Sequence, residues 1–242
     1  LIIIDNIPLK NFKYLRSEYK NFIFLKQDVS KKIKINKKID FIIHAAGIAS
    51  PFFYRKKPLE TLEVAVNGTK NCLELAKKNK CKLIFFSSSE IYGDPHVSQI
   101  PIKEDYRGNV STMGPRACYD ESKRVGETLC YIYQQKFNLK INIIRPFNVY
   151  GPGMGQKDYR ILPNFIDNIL NKRKLKVYGT GRQTRTYCYI TDAMVGFLKV
   201  IINGIPGEVY NIGNSKPEIS VYDLFKLLEK IYQKKIYYKK IN

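Results

Sequence analysis

The 242-residue chain carries 42 lysines and arginines against 21 acidic residues, a formal net charge of +21, and 44% of its residues are hydrophobic. These proportions are typical of a soluble globular protein, and no apolar run approaches the roughly 20 residues that a membrane-spanning helix needs. Five scattered cysteines without a C-x-x-C pair argue against a zinc site or a disulfide framework, so we expect no metal and a reducing, cytoplasmic location.

Near-continuous apolar runs predict buried parallel strands, because alternation disappears when both faces of a sheet are covered. These runs lie at residues 1–4, 22–25, 41–46, 82–89 and 140–146. Apolar residues at helical spacing predict helices over 58–80 and 119–137, and a last helix near 221–233. Strands that alternate with helices predict an α/β protein with a doubly wound parallel sheet.

The predicted secondary-structure pattern changes after Pro146, where loops and short elements replace the alternation of strands and helices. Neither an internal repeat nor a low-complexity linker marks a boundary there. We therefore predict two parts, residues 1–148 and residues 149–242, of which the second is smaller and interleaved with the first.

Polar residues follow each predicted strand, at the sheet edge where ligands bind in doubly wound folds. They are Asp5, Asp28, His44 to Gly47, Ser87 to Glu90, and Pro146 to Asn148. Any one of these groups could be a helix cap or part of a turn. Five groups at one edge instead indicate a binding site.

Asp5 ends the first predicted strand, where an acid in dinucleotide-binding folds accepts hydrogen bonds from the adenosine ribose. The alternative is that Asp5 caps the next helix. In the first case its negative charge would repel a 2′-phosphate, which favours NAD over NADP.

Tyr119 and Lys123 stand four residues apart in the stretch GPRACYDESKR, which places them on one helix face about one turn apart. A phenol beside an ammonium group has a lowered pKa and can act as a general base near neutral pH. The lysine can also bind a nicotinamide ribose, while Ser88 polarises the same substrate oxygen. This set predicts removal of a proton from an alcohol as hydride leaves its carbon.

Several motifs occur in one order along the chain: HAAG, SSSEIYGD, YDESK, RPFNVYGPG, LKVYGTGRQTRTYCYITD and YNIGN. In this combination the chain resembles the extended short-chain dehydrogenase/reductases that modify nucleotide sugars. The stretch from SSSEIYGD to ESKRVGETLCY is most similar to their UDP-glucuronate decarboxylase group. The resemblance implies a Rossmann fold with bound NAD in residues 1–148 and a nucleotide-sugar-binding part in residues 149–242.

The resemblance also implies roles for individual residues. Tyr119 and Lys123 would be the catalytic pair with Ser88, while Ser89 and Glu90 would serve the second step and Arg185 would hold the sugar carboxylate. The expected cofactor contacts are Asp5, Asn6, Asp28, Val29, His44, Ala45, Ala46, Ser87, Tyr119, Lys123, Pro146 and Asn148. The expected substrate contacts are Asn148, Arg160, Tyr178, Gln183 and Arg185, with Tyr178 stacked on the base.

The implied reaction is decarboxylation of UDP-glucuronate to UDP-xylose through a transient C4 ketone. Related 4,6-dehydratases typically carry an aspartate where Ser89 stands, and 4-epimerases usually lack the glutamate at position 90. A dehydratase or an epimerase stays the alternative, and a non-catalytic NAD- or RNA-binding relative is a third. The lysines come without a helix-turn-helix, zinc-finger spacing or an aromatic RNA-binding signature, so we predict no nucleic-acid partner.

Members of this family begin with a strand and the loop G-x-x-G-x-x-G, whose amides contact the pyrophosphate. This sequence has no such motif, and its opening LIIIDN resembles the second strand of the family. We therefore expect an opening unit of about 30 residues to be lacking, and the chain to be part of a longer enzyme. The resemblance also predicts a homodimer, for which the stripe Val125, Leu129 and Ile132 would suit either the interface or an ordinary core.

Overall fold

The computed structural model describes residues 1–9, 21–155, 158–233 and 235–241, without the side chain of Tyr178. The strands are β1 (Ile2–Asp5), β2 (Ile23–Lys26), β3 (Phe41–His44), β4 (Lys82–Phe86), β5 (Ile141–Pro146), β6 (Val149–Tyr150), β7 (Leu175–Tyr178), β8 (Thr184–Thr186), β9 (Cys188–Tyr189), β10 (Val209–Ile212), β11 (Glu218–Ser220) and β12 (Tyr238–Ile241). The α-helices are α1 (Pro51–Lys56), α2 (Pro58–Glu63), α3 (Thr69–Asn79), α4 (Ala117–Phe137), α5 (Ile161–Leu170), α6 (Ile190–Asn203) and α7 (Val221–Tyr232).

The main sheet contains four parallel strands in the order β10–β5–β4–β3. Its central strand β4 is covered on both faces, and Leu83 and Ile84 are both 0% exposed. Helix α4 packs closely on this strand at Gly126, where an added Cβ would overlap the Phe85 ring. The predicted α/β fold with a parallel sheet is confirmed. The strand predicted at 82–89 ends at Phe86, because Ser88 caps the 3-10 turn that follows.

Strands β1 and β2 pair only with each other among the described strands, in parallel and with Ile3 opposite Phe24. A cavity of about 590 Å³ lies between β1 and β3 and contacts side chains of both. Ile43 of β3 is therefore 53% exposed. The expectation that the first three strands are buried on both faces is wrong at this gap, and the expected lack of an opening unit stays a prediction.

The second part of the chain holds two helices that the sequence did not predict, α5 and α6. Helices α5 and α7 pack together through Phe165 and Leu228 in a separate apolar core with Leu175 of β7. Strand β10 also comes from this part, yet it pairs with β5 in the main sheet. The two parts are thus interleaved in the sheet, while the division at residue 148 stays a prediction.

The predicted helices occur close to their expected bounds. The segment 58–80 forms α2, a π-helical turn at Val64–Gly68, and α3. Helix α4 begins at Ala117 and so includes the predicted pair near its first turn. None of the helices in the described ranges is both long enough and apolar enough to cross a membrane.

Candidate active site

Tyr119 and Lys123 lie near the N-terminal end of α4 and are 7% and 8% exposed. The Lys123 Nζ donates a hydrogen bond of 2.9 Å to the carbonyl of Phe86, the last residue of β4. Ser88 lies two residues after Phe86, and its hydroxyl interacts with the Tyr119 phenol. The structure therefore brings together the three residues that the sequence places in the proton-transfer set.

The expected lowering of the Tyr119 pKa by Lys123 is wrong in this structure. Burial raises the pKa of Tyr119, and a hydrogen bond from Ser88 and the charge of Arg160 oppose that effect without overcoming it. Burial also lowers the pKa of Lys123 to about 8, while the Glu127 carboxylate acts in the opposite direction. Desolvation dominates both groups because the pair is enclosed between α4 and the end of β4.

Tyr54, which the sequence analysis did not include, packs directly on Tyr119. Their rings are stacked with centroids 5.1 Å apart and an interplanar angle of 9°. Tyr54 is 1% exposed, and its hydroxyl has no hydrogen-bond partner by distance and angle among the described residues. Burial raises the pKa of Tyr54, and the nearby Arg116 guanidinium opposes this rise.

Glu90 lies on the 3-10 turn Ser89–Tyr92, which follows β4. The Ser88 hydroxyl caps this turn by accepting a 3.3 Å hydrogen bond from the Glu90 amide. The Glu90 carboxylate forms an ion pair with Arg116, a second residue that the sequence analysis missed. Arg116 stands three residues before Tyr119, so its helical spacing was the signal that could have identified it.

These groups face one cavity of about 440 Å³. Its polar lining comes from the ends of β4 and β5, from α4 and from the second part of the chain. The predicted residues among its lining are Ala45, Ser87, Ser88, Ser89, Glu90, Tyr119, Lys123, Pro146, Asn148, Arg160 and Arg185. Arg116 adds a third guanidinium to those of Arg160 and Arg185. Its charge offsets that of Glu90, and the remaining positive charge of the lining favours an anionic ligand.

The predicted substrate residues lie in different surroundings. Arg185 of β8 donates a 2.7 Å hydrogen bond from Nη1 to the Thr184 carbonyl and also lines a neighbouring cavity of about 340 Å³. Arg160 binds the Asp158 carboxylate, with 3.0 Å from Nε to Oδ1. Gln183 is exposed and does not line either cavity. Tyr178 ends β7, and its side chain lies outside the described part of the structure.

Asp5, the last residue of β1, and Asp28, two residues after β2, each form a turn with the nearby backbone. Asp5 Oδ1 accepts a 2.8 Å hydrogen bond from the Ile7 amide, and Asp28 Oδ1 accepts one of 2.9 Å from the Ser30 amide. Asp5 lines the 590 Å³ cavity. Asn6 and Asp28, which were also predicted as cofactor contacts, do not line it. Because β1 and β2 stand apart from the main sheet, the five polar groups do not share one continuous edge.

Residues that line the 590 Å³ and 440 Å³ cavities suit the two ends of a dinucleotide. Val29 and Ala46 line the 590 Å³ cavity with Asp5, and Ala45 lines both this cavity and the 440 Å³ cavity. At the far end the buried Ser87 hydroxyl has no hydrogen-bond partner among the described residues, so it is available to a ligand. The sequence offers no glycine-rich loop for the phosphates between these ends.

His44 contributes a neutral ring to the packing beneath the cofactor track, by which we mean Asp5, Val29, Ala45, Ala46 and Ser87. Its Nε2 lies 3.1 Å from the Thr69 hydroxyl, and the residue is 3% exposed. Burial and, to a smaller extent, the charge of Lys123 lower the pKa of His44 to about 3. The imidazole therefore belongs to the core, and contact with a cofactor at this position would come from the neighbouring Ala45 and Ala46.

The sequence is similar to those of known enzymes. It is 39% identical over 213 residues to UDP-glucuronic acid decarboxylase 1 of Xenopus tropicalis, covering 88% of this chain and 49% of that protein. It is 41% identical over 193 residues to UDP-glucuronic acid decarboxylase 3 of Arabidopsis thaliana, covering 80% of this chain and 55% of that protein. The chain thus spans about half the length of these relatives.

The fold is similar to that of solved epimerases. UDP-glucuronic acid 4-epimerase from Bacillus cereus, in complex with UDP-glucuronic acid and NAD, has a TM-score of 0.84 and 27% identity, covering 100% of this chain and 77% of that chain. UDP-glucose 4-epimerase from Thermotoga maritima, with UDP-glucose, has a TM-score of 0.85 and 25% identity, covering 100% and 78%. The sequence profile of the NAD dependent epimerase/dehydratase family matches residues 12–213. Together with the fold, this match shows that the chain belongs to the NAD dependent epimerase/dehydratase family.

Proposed function

We propose that the complete protein containing this chain converts UDP-glucuronate to UDP-xylose and carbon dioxide, with NAD held along the track from Asp5 to Ser87. The observation that carries the proposal is one cavity that holds both a proton-transfer pair, Tyr119 and Lys123, and a carboxylate–guanidinium pair, Glu90 and Arg116. The names of the related decarboxylases support the choice of reaction.

The first half of the reaction takes place at Tyr119. Bound NAD would supply the hydride acceptor for C4 of the sugar and return the same hydride at the end. Tyr119 accepts the proton of the C4 hydroxyl, and the Ser88 hydroxyl donates a hydrogen bond to the same oxygen. The Ser88 hydrogen bond and the charge of Arg160 favour the phenolate against the effect of burial. Lys123, whose Nζ lies 5.9 Å from the centre of the Tyr119 ring, would bind the nicotinamide ribose beside it.

The second half follows from the C4 ketone, which makes the substrate a β-keto acid. The C5–C6 bond breaks, its electron pair passes into an enolate, and carbon dioxide leaves. A proton from solvent is then added at C5, positioned by Glu90 and Ser89 on the turn after β4. Tyr119 would then give its proton back to the C4 oxygen as C4 is reduced, which restores the C4 hydroxyl.

The arginines of the cavity bind and orient the anionic groups of the substrate. Arg185 orients the sugar carboxylate by paired hydrogen bonds, the geometry that a guanidinium offers to a carboxylate. Arg160, at the N-terminus of α5, lies on the same cavity and suits the diphosphate. A substrate with a diphosphate and a carboxylate would then meet positive charge at both of its anionic groups.

A 4-epimerase is the second candidate, because the Bacillus cereus neighbour acts on UDP-glucuronic acid through the same fold. Epimerisation shares the C4 oxidation but keeps C6. Incubation of the complete protein with UDP-glucuronate and NAD, followed by mass spectrometry, separates the candidates. Decarboxylation predicts a UDP-pentose, whereas epimerisation leaves the mass unchanged. Conversion of a neutral UDP- or dTDP-hexose to a dehydrated product would instead identify a 4,6-dehydratase.

A homodimer and a cytoplasmic location stay predictions. In the structure Leu129 packs on the core of the main sheet, whereas Val125 and Ile132 are 36% and 46% exposed. The stripe therefore divides between core and surface. Sedimentation of the complete protein, compared with a Val125→Glu and Ile132→Glu double variant, tests the dimer, since two buried charges at an interface would dissociate it.

A further inference from the structure

Arg145 of β5 is the most extensively bonded buried charge near the cavity that the proposed reaction leaves without a role. It is 7% exposed, and its guanidinium binds Glu127 of α4 with both ends, at 2.9 Å from Nε and 2.6 Å from Nη2. Its Nη1 donates to the Tyr92 hydroxyl at 2.6 Å and to the Glu104 carbonyl at 2.8 Å. One side chain therefore joins a helix, a turn and a loop.

The two partners of Arg145 each belong to an element that carries proposed catalytic groups. Tyr92 is the last residue of the 3-10 turn that carries Ser89 and Glu90, and it is 0% exposed. Glu127 stands one helical turn after Lys123, on the helix that also carries Tyr119. The guanidinium thus connects the turn of the second half-reaction to the helix of the first, beside the Glu90–Arg116 ion pair and a 3.0 Å hydrogen bond from Arg124 of α4 to the Ile91 carbonyl.

The turn is held from its other side by the same network. The Tyr92 hydroxyl donates a 2.8 Å hydrogen bond to Asn211 of β10, the strand next to β5. The Asn211 backbone N–H in turn donates to the Glu104 carboxylate at 2.8 Å. The guanidinium also lies 4.9 Å from the centre of the Tyr92 ring. With its ring and hydroxyl both engaged, Tyr92 gives the turn little freedom to shift relative to α4.

We propose that Arg145 is a positioning residue that fixes the turn of Ser89 and Glu90 against the helix of Tyr119 and Lys123. By doing so it couples C4 oxidation to the protonation of C5 and the return of hydride. This inference rests on the proposed function. Without the coupling, the turn shifts, C5 is presented poorly, and the decarboxylated 4-keto sugar leaves before hydride is returned to it.

Two variants break the Arg145 connection, leave the Glu90–Arg116 and Arg124–Ile91 contacts in place, and put no new group in the cavity. Arg145→Lys keeps the charge but cannot hold Glu127 at both ends and Tyr92 at the same time. Tyr92→Phe keeps the ring and removes only the hydroxyl that links Arg145 to Asn211. The matched controls lie far from the turn: Arg173→Lys, whose side chain pairs with Asp167, and Tyr133→Phe, whose hydroxyl binds Glu74 at 2.6 Å.

The experiment measures the ratio of released UDP-4-keto-pentose to UDP-xylose by mass spectrometry, with UDP-glucuronate as substrate and NAD in excess as oxidant. We expect this ratio to rise about tenfold or more in Arg145→Lys and Tyr92→Phe, a factor that corresponds to about 1.4 kcal/mol. The dissociation constant for UDP and the ratio in both controls should stay within about twofold of wild type.

The outcomes distinguish the inference from the proposal on which it rests. If wild type releases carbon dioxide and the variants slow with an unchanged product ratio, Arg145 has only a structural role and the inference is wrong. If wild type releases no carbon dioxide from UDP-glucuronate, the proposed function fails and the inference fails with it. Thermal unfolding of each variant shows whether Tyr92→Phe, the milder change, is folded when its ratio is measured.

Discussion

The two halves of the strand layer have similar sequences and different environments. Strands β4 and β5 are enclosed between helices and carry the residues around the 440 Å³ cavity. Strands β1 and β2 have equally apolar sequences, yet they pair only with each other among the described strands and border a cavity of about 590 Å³. An apolar run therefore predicts a strand. How deeply that strand is buried depends on the strands and helices that pack beside it.

The enclosed half also holds the titratable groups of the candidate site whose pKa values burial shifts. Desolvation is the largest cause of the pKa shifts of Tyr119, Lys123 and His44, all of which contact β4 or its neighbour β3. The acids of the open half, Asp5 and Asp28, instead form local turns at the surface. Under the proposed function, proton transfer belongs to the enclosed half and the open half supplies contacts for binding.

The largest effect is expected for Tyr119→Phe. This change removes the proposed general base and keeps the ring that stacks on Tyr54, so the fold should persist. The rate of carbon dioxide release should fall by about 10²- to 10⁴-fold, the usual contribution of a positioned acid or base. Tyr133→Phe, on the same helix but away from the cavity, is the control and should retain activity.

Truncation to alanine should cost very different amounts of stability at two paired residues of β4 and β3. Ile84 of β4 is 0% exposed and lies opposite Ile43 of β3, which is 53% exposed. Ile84→Ala should lower the free energy of unfolding by about 2–5 kcal/mol, because it leaves a cavity in a packed core. Ile43→Ala should lower it by about 1 kcal/mol or less, since little buried area is lost. Urea unfolding measures both, and equal losses would contradict the difference between the two halves.

His44 should make the protein sensitive to acid. Its pKa is about 3 in the folded chain and 6.5 in the unfolded chain, so the unfolded state binds more protons as the pH falls below 6.5. Stability from this group is complete above pH 6.5 and is lost toward pH 3. We expect a loss of about 3 kcal/mol between pH 7 and pH 4.

The histidine dependence is measured as the difference in unfolding free energy between wild type and His44→Gln at each pH. The difference cancels the contribution of the carboxylates. The other histidine of the chain, His96, is exposed, and His96→Gln should leave the slope as in wild type. An unchanged slope in His44→Gln would mean that the ring is accessible to protons in the folded state.

The smallest effect is expected in the open half. Asp5→Asn should improve the affinity for NADP relative to NAD by about tenfold or less, because it removes a negative charge beside the proposed ribose position. Fluorescence titration of the complete protein with both dinucleotides measures this ratio. Asp28→Asn is the matched control, because Asp28 does not line the cavity. Equal changes in both variants would remove Asp5 from the cofactor site.

Much of this arrangement could be predicted because it depends on local patterns. The strands, the long helices and the Tyr119–Lys123 spacing are all visible within short windows of sequence. Helix α6 was missed because its run VGFLKVII is rich in β-branched residues, which favour strands. Helix α5 was missed because Pro163 falls inside it, although proline is tolerated in a first helical turn.

Contacts between distant segments could not be predicted in the same way. The stack of Tyr54 on Tyr119 and the pairing of Arg116 with Glu90 depend on how α1 and the turn after β4 meet α4. The direction of the Tyr119 pKa shift was wrong because helical spacing places the lysine nearby but does not reveal the burial of both groups. Burial is a property of the assembled fold.

The most direct test of transient C4 oxidation uses UDP-glucuronate with deuterium at C4, incubated with the complete protein and NAD in ordinary water. We expect a UDP-xylose product that keeps the deuterium at C4, because the hydride leaves that carbon and returns to it. The same reaction with unlabelled substrate in deuterated water should add deuterium at C5. Carbon dioxide release with loss of the C4 label to solvent would contradict the mechanism, and no release of carbon dioxide would contradict the function.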